Sequence, residues 1–283
     1  MPQEQTFRNV SDTALWAAVY RARETDRADA LFRDPYARRL AGERGLRIAD
    51  SIPKKAQYDW AWVMRTVLFD RYIAEEIREG TDLVVNLAAG LDARPYRMAL
   101  PPALQWVEVD LPDLLDYKEG ILRGEKPVCA LERVRLDVAD RPARQALFAR
   151  LSARARRVLV LTEGLLIYLT AEGVGALATD LGAAPSFQRW ALDISSPGLL
   201  RMLQKQYGPA LDRASAPLLF GPPEGPGFFA PYGWRPLAVK SPLKEASGHK
   251  RLPLILRIMA LLPQSSGRQG SRPWSGICLL GKT

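Results

Sequence analysis

The sequence predicts an open α/β fold, doubly wound around a mostly parallel β-sheet and preceded by a helical cap. Three observations carry this. The first eighty residues show only helix-like spacings of apolar residues. From Leu83 onward, short apolar runs alternate with longer amphipathic stretches. Each run ends on small or acidic residues, as strands do where an open sheet keeps its ligand crevice. Such alternation calls for a parallel sheet with helices on both faces.

In order along the chain, Ser11-Asp12-Thr13 reads as the cap of a helix reaching about Glu24. Asp34-Pro35 opens a second helix, with proline at an early helical position. A third helical pattern runs from about Lys54 to Glu79 on Trp60, Val63, Val67, Leu68 and Ile77, and Gly80 stops it. Strands are expected at Leu83–Ala88, Leu104–Asp110, Arg133–Asp137, Val158–Thr162 and Gln188–Asp193. Helices are expected between them at Leu111–Arg123, Arg141–Leu151, Ala171–Leu181 and Pro197–Tyr207. The Pro- and Gly-rich stretch Gly208–Tyr232 reads as an irregular loop or lid, and Trp274–Leu280 as a closing strand. The expected organisation is one domain over 1–283: a helical cap (1–80), a ligand-binding core (81–207), then the lid and closing strands (208–283).

Composition narrows the classes. A hydrophobic share of 47% and a charged share of 25% are ordinary for a globular chain. No apolar run reaches the roughly 18 residues of a membrane helix. The polar start, Met1–Val10, lacks a secretory signal, so a cytoplasmic protein is expected. The net charge of +9 raises nucleic acid as a partner, but the arginines are scattered among acids. The densest group, Arg150–Arg157, has no interleaved aromatics and reads as a solvated helix end. Cys129 and Cys278 have no ligand spacing, and with a single histidine, His249, no metal site is expected.

Chemistry should gather at the strand ends: Ala88-Ala89-Gly90-Leu91-Asp92, Glu108-Val109-Asp110, Asp137-Val138 and Thr162-Glu163-Gly164. Each has a job if the ligand is a nucleoside with an amino-acid tail. Gly90 lets the backbone approach the ligand. Asp110, an acceptor-only group, matches a ribose diol. Asp137 can accept from an adenine amine while the Val138 amide meets a ring nitrogen. Arg65 offers a guanidinium fork to the tail carboxylate. Singly, Asp110 or Asp137 reads equally well as a cap of the following helix, and Glu163 as an ordinary strand-end carboxylate. The series, one per successive strand, favours a ligand site.

The run Leu83-Val-Val-Asn-Leu-Ala-Ala-Gly-Leu-Asp-Ala-Arg-Pro-Tyr-Arg97 resembles the first motif of the leucine carboxyl methyltransferase superfamily. Thr13-Ala-Leu, Arg21-Ala-Arg-Glu, Asp34-Pro-Tyr-Ala, Arg65-Thr, Glu108-Val-Asp-Leu-Pro, Leu136-Asp-Val, Thr162-Glu-Gly-Leu-Leu-Ile-Tyr-Leu, Gly233-Trp and Arg272-Pro-Trp-Ser-Gly agree with it. The likeness covers nearly the whole chain and is nearest the bacterial branch acting on small molecules. It implies a class I methyltransferase, Rossmann-like, with S-adenosyl-L-methionine as methyl donor. Arg65, Gly90, Asp110, Asp137, Val138 and Glu163 would line the cofactor site, with Arg21 near a further basic contact. Together with the late strand signals it implies seven strands, parallel except near Trp274–Leu280. One departure is Ala88, where the family usually has glycine.

The reaction expected from this resemblance is methyl ester formation on a small carboxylic acid. A carboxylate is already ionised near neutral pH and needs no general base, which suits a chain whose one histidine is remote in sequence from the strand ends. Glu163 or Tyr168 would be the alternative base. Trp60, Trp62, Phe220, Phe228, Phe229 and Tyr232 are the aromatics expected to enclose an apolar acid. The competing readings are a methyltransferase acting on a phenol or RNA, and a cofactor-binding protein without turnover, for which Ala88 is the only sign. A nicotinamide dehydrogenase fits poorly, because the third glycine of the dinucleotide fingerprint is missing.

Overall fold

The computed structural model describes residues 7, 9–52, 59–249, 251–261 and 270–283. Its centre is a seven-stranded sheet: β1 (Leu83–Leu87), β2 (Gln105–Asp110), β3 (Ala130–Arg135), β4 (Val158–Thr162), β5 (Phe187–Ser195), β6 (Trp234–Lys240) and β7 (Ser275–Lys282). The strand order is β3-β2-β1-β4-β5-β7-β6. β7 runs antiparallel to both β5 and β6, and the other pairings are parallel. The antiparallel closing strand therefore lies where the sequence put it.

β1 and β4 are buried along their whole length, as strands covered on both faces must be. Period-two alternation divides their side chains between two cores. Leu83, Val85, Val107, Val158 and Val160 face one layer, where they meet Leu147, Phe148 and Leu151 of α6 (Arg141–Arg154) and Leu177 and Leu181 of α7 (Ala171–Ala183). Val84, Trp106, Leu159 and Leu161 face the other, against Leu68, Phe69, Tyr72 and Ile73 of α3 (Asp59–Arg78).

A further apolar core lies over the turn that follows β1. It joins α1 (Ser11–Thr25) and α2 (Ala37–Ser51, kinked at Gly42) to Leu91, Ala93 and Tyr96, to Leu114 of α5 (Pro112–Ile121), and to Leu211 of α8 (Pro197–Arg213). Tyr96 belongs to the short α4 (Arg94–Arg97). On the outer side, α9 (Pro242–Gly248) and α10 (Leu254–Leu261) pack with α3 through Val63, Met64, Ala246, Leu252 and Ala260. Among the described residues no helix is long and apolar enough to cross a membrane.

Several local expectations need correction. Ser11 does not cap α1: the N-cap is Val10, and the Asn9 side chain accepts from the Asp12 amide at 3.3 Å. The second helix starts at Ala37, with Pro35 in the turn before it. The segment from 53 to 58, where the third helix was expected to begin, lies outside the described residues. β3 lies earlier than expected, at Ala130–Arg135, because this edge strand is only half covered and shows no continuous apolar run. The helix expected to stop at Tyr207 continues through Gly208 and Pro209 to Arg213. Gly225–Tyr232 forms a 3-10 helix, so the expected lid is irregular only between them.

Candidate functional site

The site is built from the turns that leave the C-terminal ends of β1, β2, β4 and β5. After β1 the chain pairs once more, the Ala89 amide donating to the Val109 carbonyl at 3.1 Å, and then turns away. Ala88 and Gly90 both adopt left-handed backbone, at φ +53° and +52°. Gly90 is favoured by its backbone, since L-residues avoid this conformation; a Cβ there would lie in ordinary contact with Cβ of Ala14 on α1.

Asp110, at the end of β2, clasps this turn. Its Oδ2 accepts from the Gly90 amide at 2.6 Å and its Oδ1 from the Leu111 amide at 2.7 Å. It is not the cap of α5, whose N-cap is Leu111 with no side-chain cap bond. Burial pushes its carboxyl pKa up against the pull of the two amides. A carboxylate offers about four acceptor positions, so two remain beyond the amide pair.

Glu163, just past β4, is held at both oxygens. Nε of Arg65 lies 3.0 Å from Oε1, and Nη1 of Arg94 lies 2.8 Å from Oε2. Arg65 also reaches Asp193 at the end of β5 at 3.4 Å, and its guanidinium lies 4.6 Å from the Trp62 ring centre. Gly164 makes this contact possible: it sits at φ +71°, and an added Cβ would stand 3.1 Å from Nη1 of Arg65. The Gly164 amide donates to Asp193 at 2.8 Å. Burial raises the Asp193 carboxyl pKa, opposed by Arg65 and the Gly164 amide. Burial likewise raises that of the Tyr168 phenol, which shares a hydrogen bond with Thr13.

The remaining candidates each have contacts of their own. Arg21 on α1 pairs with Asp34 at 2.9 Å and donates to the Leu91 carbonyl at 2.6 Å, so it ties α1 to the β1 turn. Asp137 is exposed, and its Oδ1 accepts from the Ala139 amide at 2.8 Å in a local turn. The Val138 carbonyl accepts from Arg144 at 3.0 Å, and the Val138 side chain packs against the α6/α7 core. His249 ends α9, 3.5 Å from Glu245, which is paired with Arg71 at 2.6 Å.

The expected acceptor aromatics separate. Trp62 belongs to the site side, stacked on Tyr20 at 5.4 Å and edge-on to Trp16. Trp60 packs in the outer α3/α10 cluster. Phe220 and Phe229 are core residues, with Phe229 5.0 Å from the Trp190 ring, and Phe228 and Tyr232 pack onto them. Both cysteines are buried. Burial pushes the Cys129 thiol pKa up to about 11 and that of Cys278 higher still.

Sequence reasoning missed a buried ion network beneath Glu163. Asp70 on α3 meets Arg94 at 2.6 Å and Arg97 at 2.7 Å, while Asp92 meets Arg94 at 2.8 Å and Asn86 of β1 at 2.9 Å. Two arginines beside a strand-end turn were the available signal. Asp193 was equally visible as the last member of the strand-end series.

Comparisons with known proteins agree with this architecture. The family model for leucine carboxyl methyltransferase matches residues 14–182. A protein of Streptomyces coelicolor named for S-adenosyl-L-methionine-dependent methyltransferase activity is 32% identical over 274 residues, spanning 91% of this chain and 92% of its own. One of the same description from Streptomyces avermitilis is 32% identical over 234 residues, spanning 78% of this chain and 82% of its own. At the level of fold, a crystal structure described as a methyltransferase from Thermobifida fusca superposes with a TM-score of 0.58 at 15% identity, covering 98% of this chain and 96% of its own. A Streptomyces avermitilis structure reaches 0.57 at 16% identity, covering 94% and 97%. With its motifs on the strand ends of this sheet and a relative alike from end to end, the chain belongs to the leucine carboxyl methyltransferase family of S-adenosyl-L-methionine-dependent methyltransferases.

Proposed function

We propose that the protein transfers the methyl group of S-adenosyl-L-methionine to the carboxylate of a small molecule, forming a methyl ester. The residues fit the cofactor. Asp110 keeps acceptor positions for the ribose hydroxyls next to a turn held open by Gly90. Arg65 would take the tail carboxylate, and Asp137 with Val138 the adenine edge. Charge fits as well: Arg65, Arg94 and Arg97 meet Asp70, Asp92, Glu163 and Asp193, so the cluster has one carboxylate in excess. A molecule carrying a sulfonium, an ammonium and a carboxylate brings one net positive charge.

When bound, this cofactor supplies an electrophilic methyl group on sulfur. The protein's part is to align the acceptor and exclude water. α1 and α2, with Trp16, Tyr20 and Trp62, cover the strand ends on the side where an acceptor would enter. In this reading residues 1–80 form the cap, 81–207 the cofactor core and 208–283 the closing segment of one functional unit.

A single observation carries the choice of a carboxylate. The titratable groups at the strand ends are already engaged: Glu163 by two guanidiniums, Asp110 by two amides, Asp193 by Arg65 and Gly164, and the buried Tyr168 phenol by a hydrogen bond with Thr13. An acceptor that arrives ionised needs none of them as a base. The test is incubation with methyl-labelled cofactor and a panel of aromatic and polyketide-like acids, phenols and RNA, followed by mild alkali. Label should appear on acids, leave as methanol, and form at a rate nearly flat between about pH 6 and 8. Alkali-stable label on a phenol, an amine or RNA would sink the carboxylate reading.

A further inference from the structure

We propose that Arg94 is a positioning residue: it fixes the Glu163 carboxylate so that Glu163 and Arg65 together receive the zwitterionic amino-acid end of the cofactor. This rests on the assignment of the cofactor crevice made above. Arg94 does not face solvent; its side chain is 3% exposed. Its fork is aimed from two sides. Nε lies 2.6 Å from Asp70, which is itself gripped by both terminal nitrogens of Arg97 at 2.7 Å. Nη1 lies 2.8 Å from Asp92, whose carboxylate is pinned by Asn86 at 2.9 Å and by the Arg94 amide at 2.9 Å. With α3, β1 and the turn after β1 all holding it, the same Nη1 also sits 2.8 Å from Oε2 of Glu163.

The consequence falls on the partner of Glu163. With Oε2 fixed by Arg94, Oε1 takes Nε of Arg65, and Nη2 of Arg65 takes part in neither this pair nor the one with Asp193. One guanidinium nitrogen for a carboxylate thus stands beside two carboxylates for an ammonium. Both signs are held in place before a ligand arrives, so little reorganisation remains on binding. A purely architectural ion pair would affect all ligands of the crevice alike, whereas a positioning role is selective for ligands that carry the amino-acid end.

The experiment is calorimetric titration of S-adenosylhomocysteine, which has that end, and 5′-methylthioadenosine, which lacks it. Arg94→Lys should weaken S-adenosylhomocysteine by about tenfold or more, the scale of one weakened buried ion pair, and leave methylthioadenosine within about twofold. In a Glu163→Gln background the same change should add nothing. Asp70→Asn, which loosens the aim of Arg94 without removing it, should give the same selective pattern on a smaller scale, and carries the test if Arg94→Lys does not fold. Equal loss of both ligands, unchanged S-adenosylhomocysteine affinity, or additive effects with Glu163→Gln overturn the role of Arg94. A wild-type protein that binds neither ligand overturns the crevice assignment, and the proposal with it.

Discussion

Ala88 occupies φ +53° in the turn after β1, a conformation that costs an L-residue about 1–2 kcal/mol. This gives a physical reason for the glycine usual in the family at this position. Ala88→Gly should relieve that strain, while the greater freedom of glycine in the unfolded chain returns about 0.5–1 kcal/mol of it. The expected net gain is up to about 1 kcal/mol, read as a small rise in melting temperature with cofactor affinity kept or tightened. A folded variant that no longer binds would show the methyl group to be a packing element of the site. Asp110 and Gly90 were legible in the sequence because their types are selected by backbone geometry and acceptor chemistry at a strand end. Arg94, Asp92 and Asp70 were not, since charged residues in a sequence read as surface. Only packing shows that Arg94 is buried among three carboxylates.

Among elements, β1 and β4 were readable because buried parallel strands are short, nearly continuous apolar runs, and β2 and β5 because their apolar residues run up to an acidic residue near the strand end, Asp110 and Asp193. β3 was misplaced because an edge strand carries Glu132, Arg133 and Arg135 among its few apolar residues. α8 shows tertiary packing overriding local preference. Gly208 and Pro209 signal a stop, yet Leu203, Tyr207, Ala210 and Leu211 bring the helix onto the cap core and carry it to Arg213. Pro209 lies on the exposed side and donates no helical hydrogen bond. Pro209→Ala should therefore stabilise the protein by about 1–2 kcal/mol, the helix-interior penalty of proline reduced by its restriction of the unfolded chain. Denaturant unfolding measures this, and an unchanged midpoint would mean that the helix end beyond Tyr207 contributes nothing to the cooperative unit.

At the scale of the whole molecule, the Asp70–Arg94–Asp92–Glu163 network is where the cap-side helix α3, the sheet and the turn after β1 meet, and its titration should be visible in global stability. Burial alone would raise the Asp92 pKa, but Arg94, with Lys118 and Arg97 behind it, overcomes that and holds it at about 2. The folded value is thus below the unfolded one of 3.8. For a depressed carboxyl the stabilisation is fully present above the unfolded pKa and is lost as pH falls through the folded one. The window is therefore about pH 4 down to about pH 2, and the contribution within it is about 2 kcal/mol. Asp92→Asn keeps the shape and one acceptor oxygen but removes the charge, and leaves Arg94 to Asp70 and Glu163. The variant should be less stable than wild type at pH 7, and the gap should narrow as both are taken toward pH 2. Urea unfolding midpoints at pH 7, 4 and 2.5 give the comparison. Parallel pH profiles for the two proteins would mean that Arg94 does not stabilise the Asp92 charge in the folded state. The network would then be held by hydrogen-bond shape instead of charge, and the electrostatic match to a cationic cofactor would lose its basis.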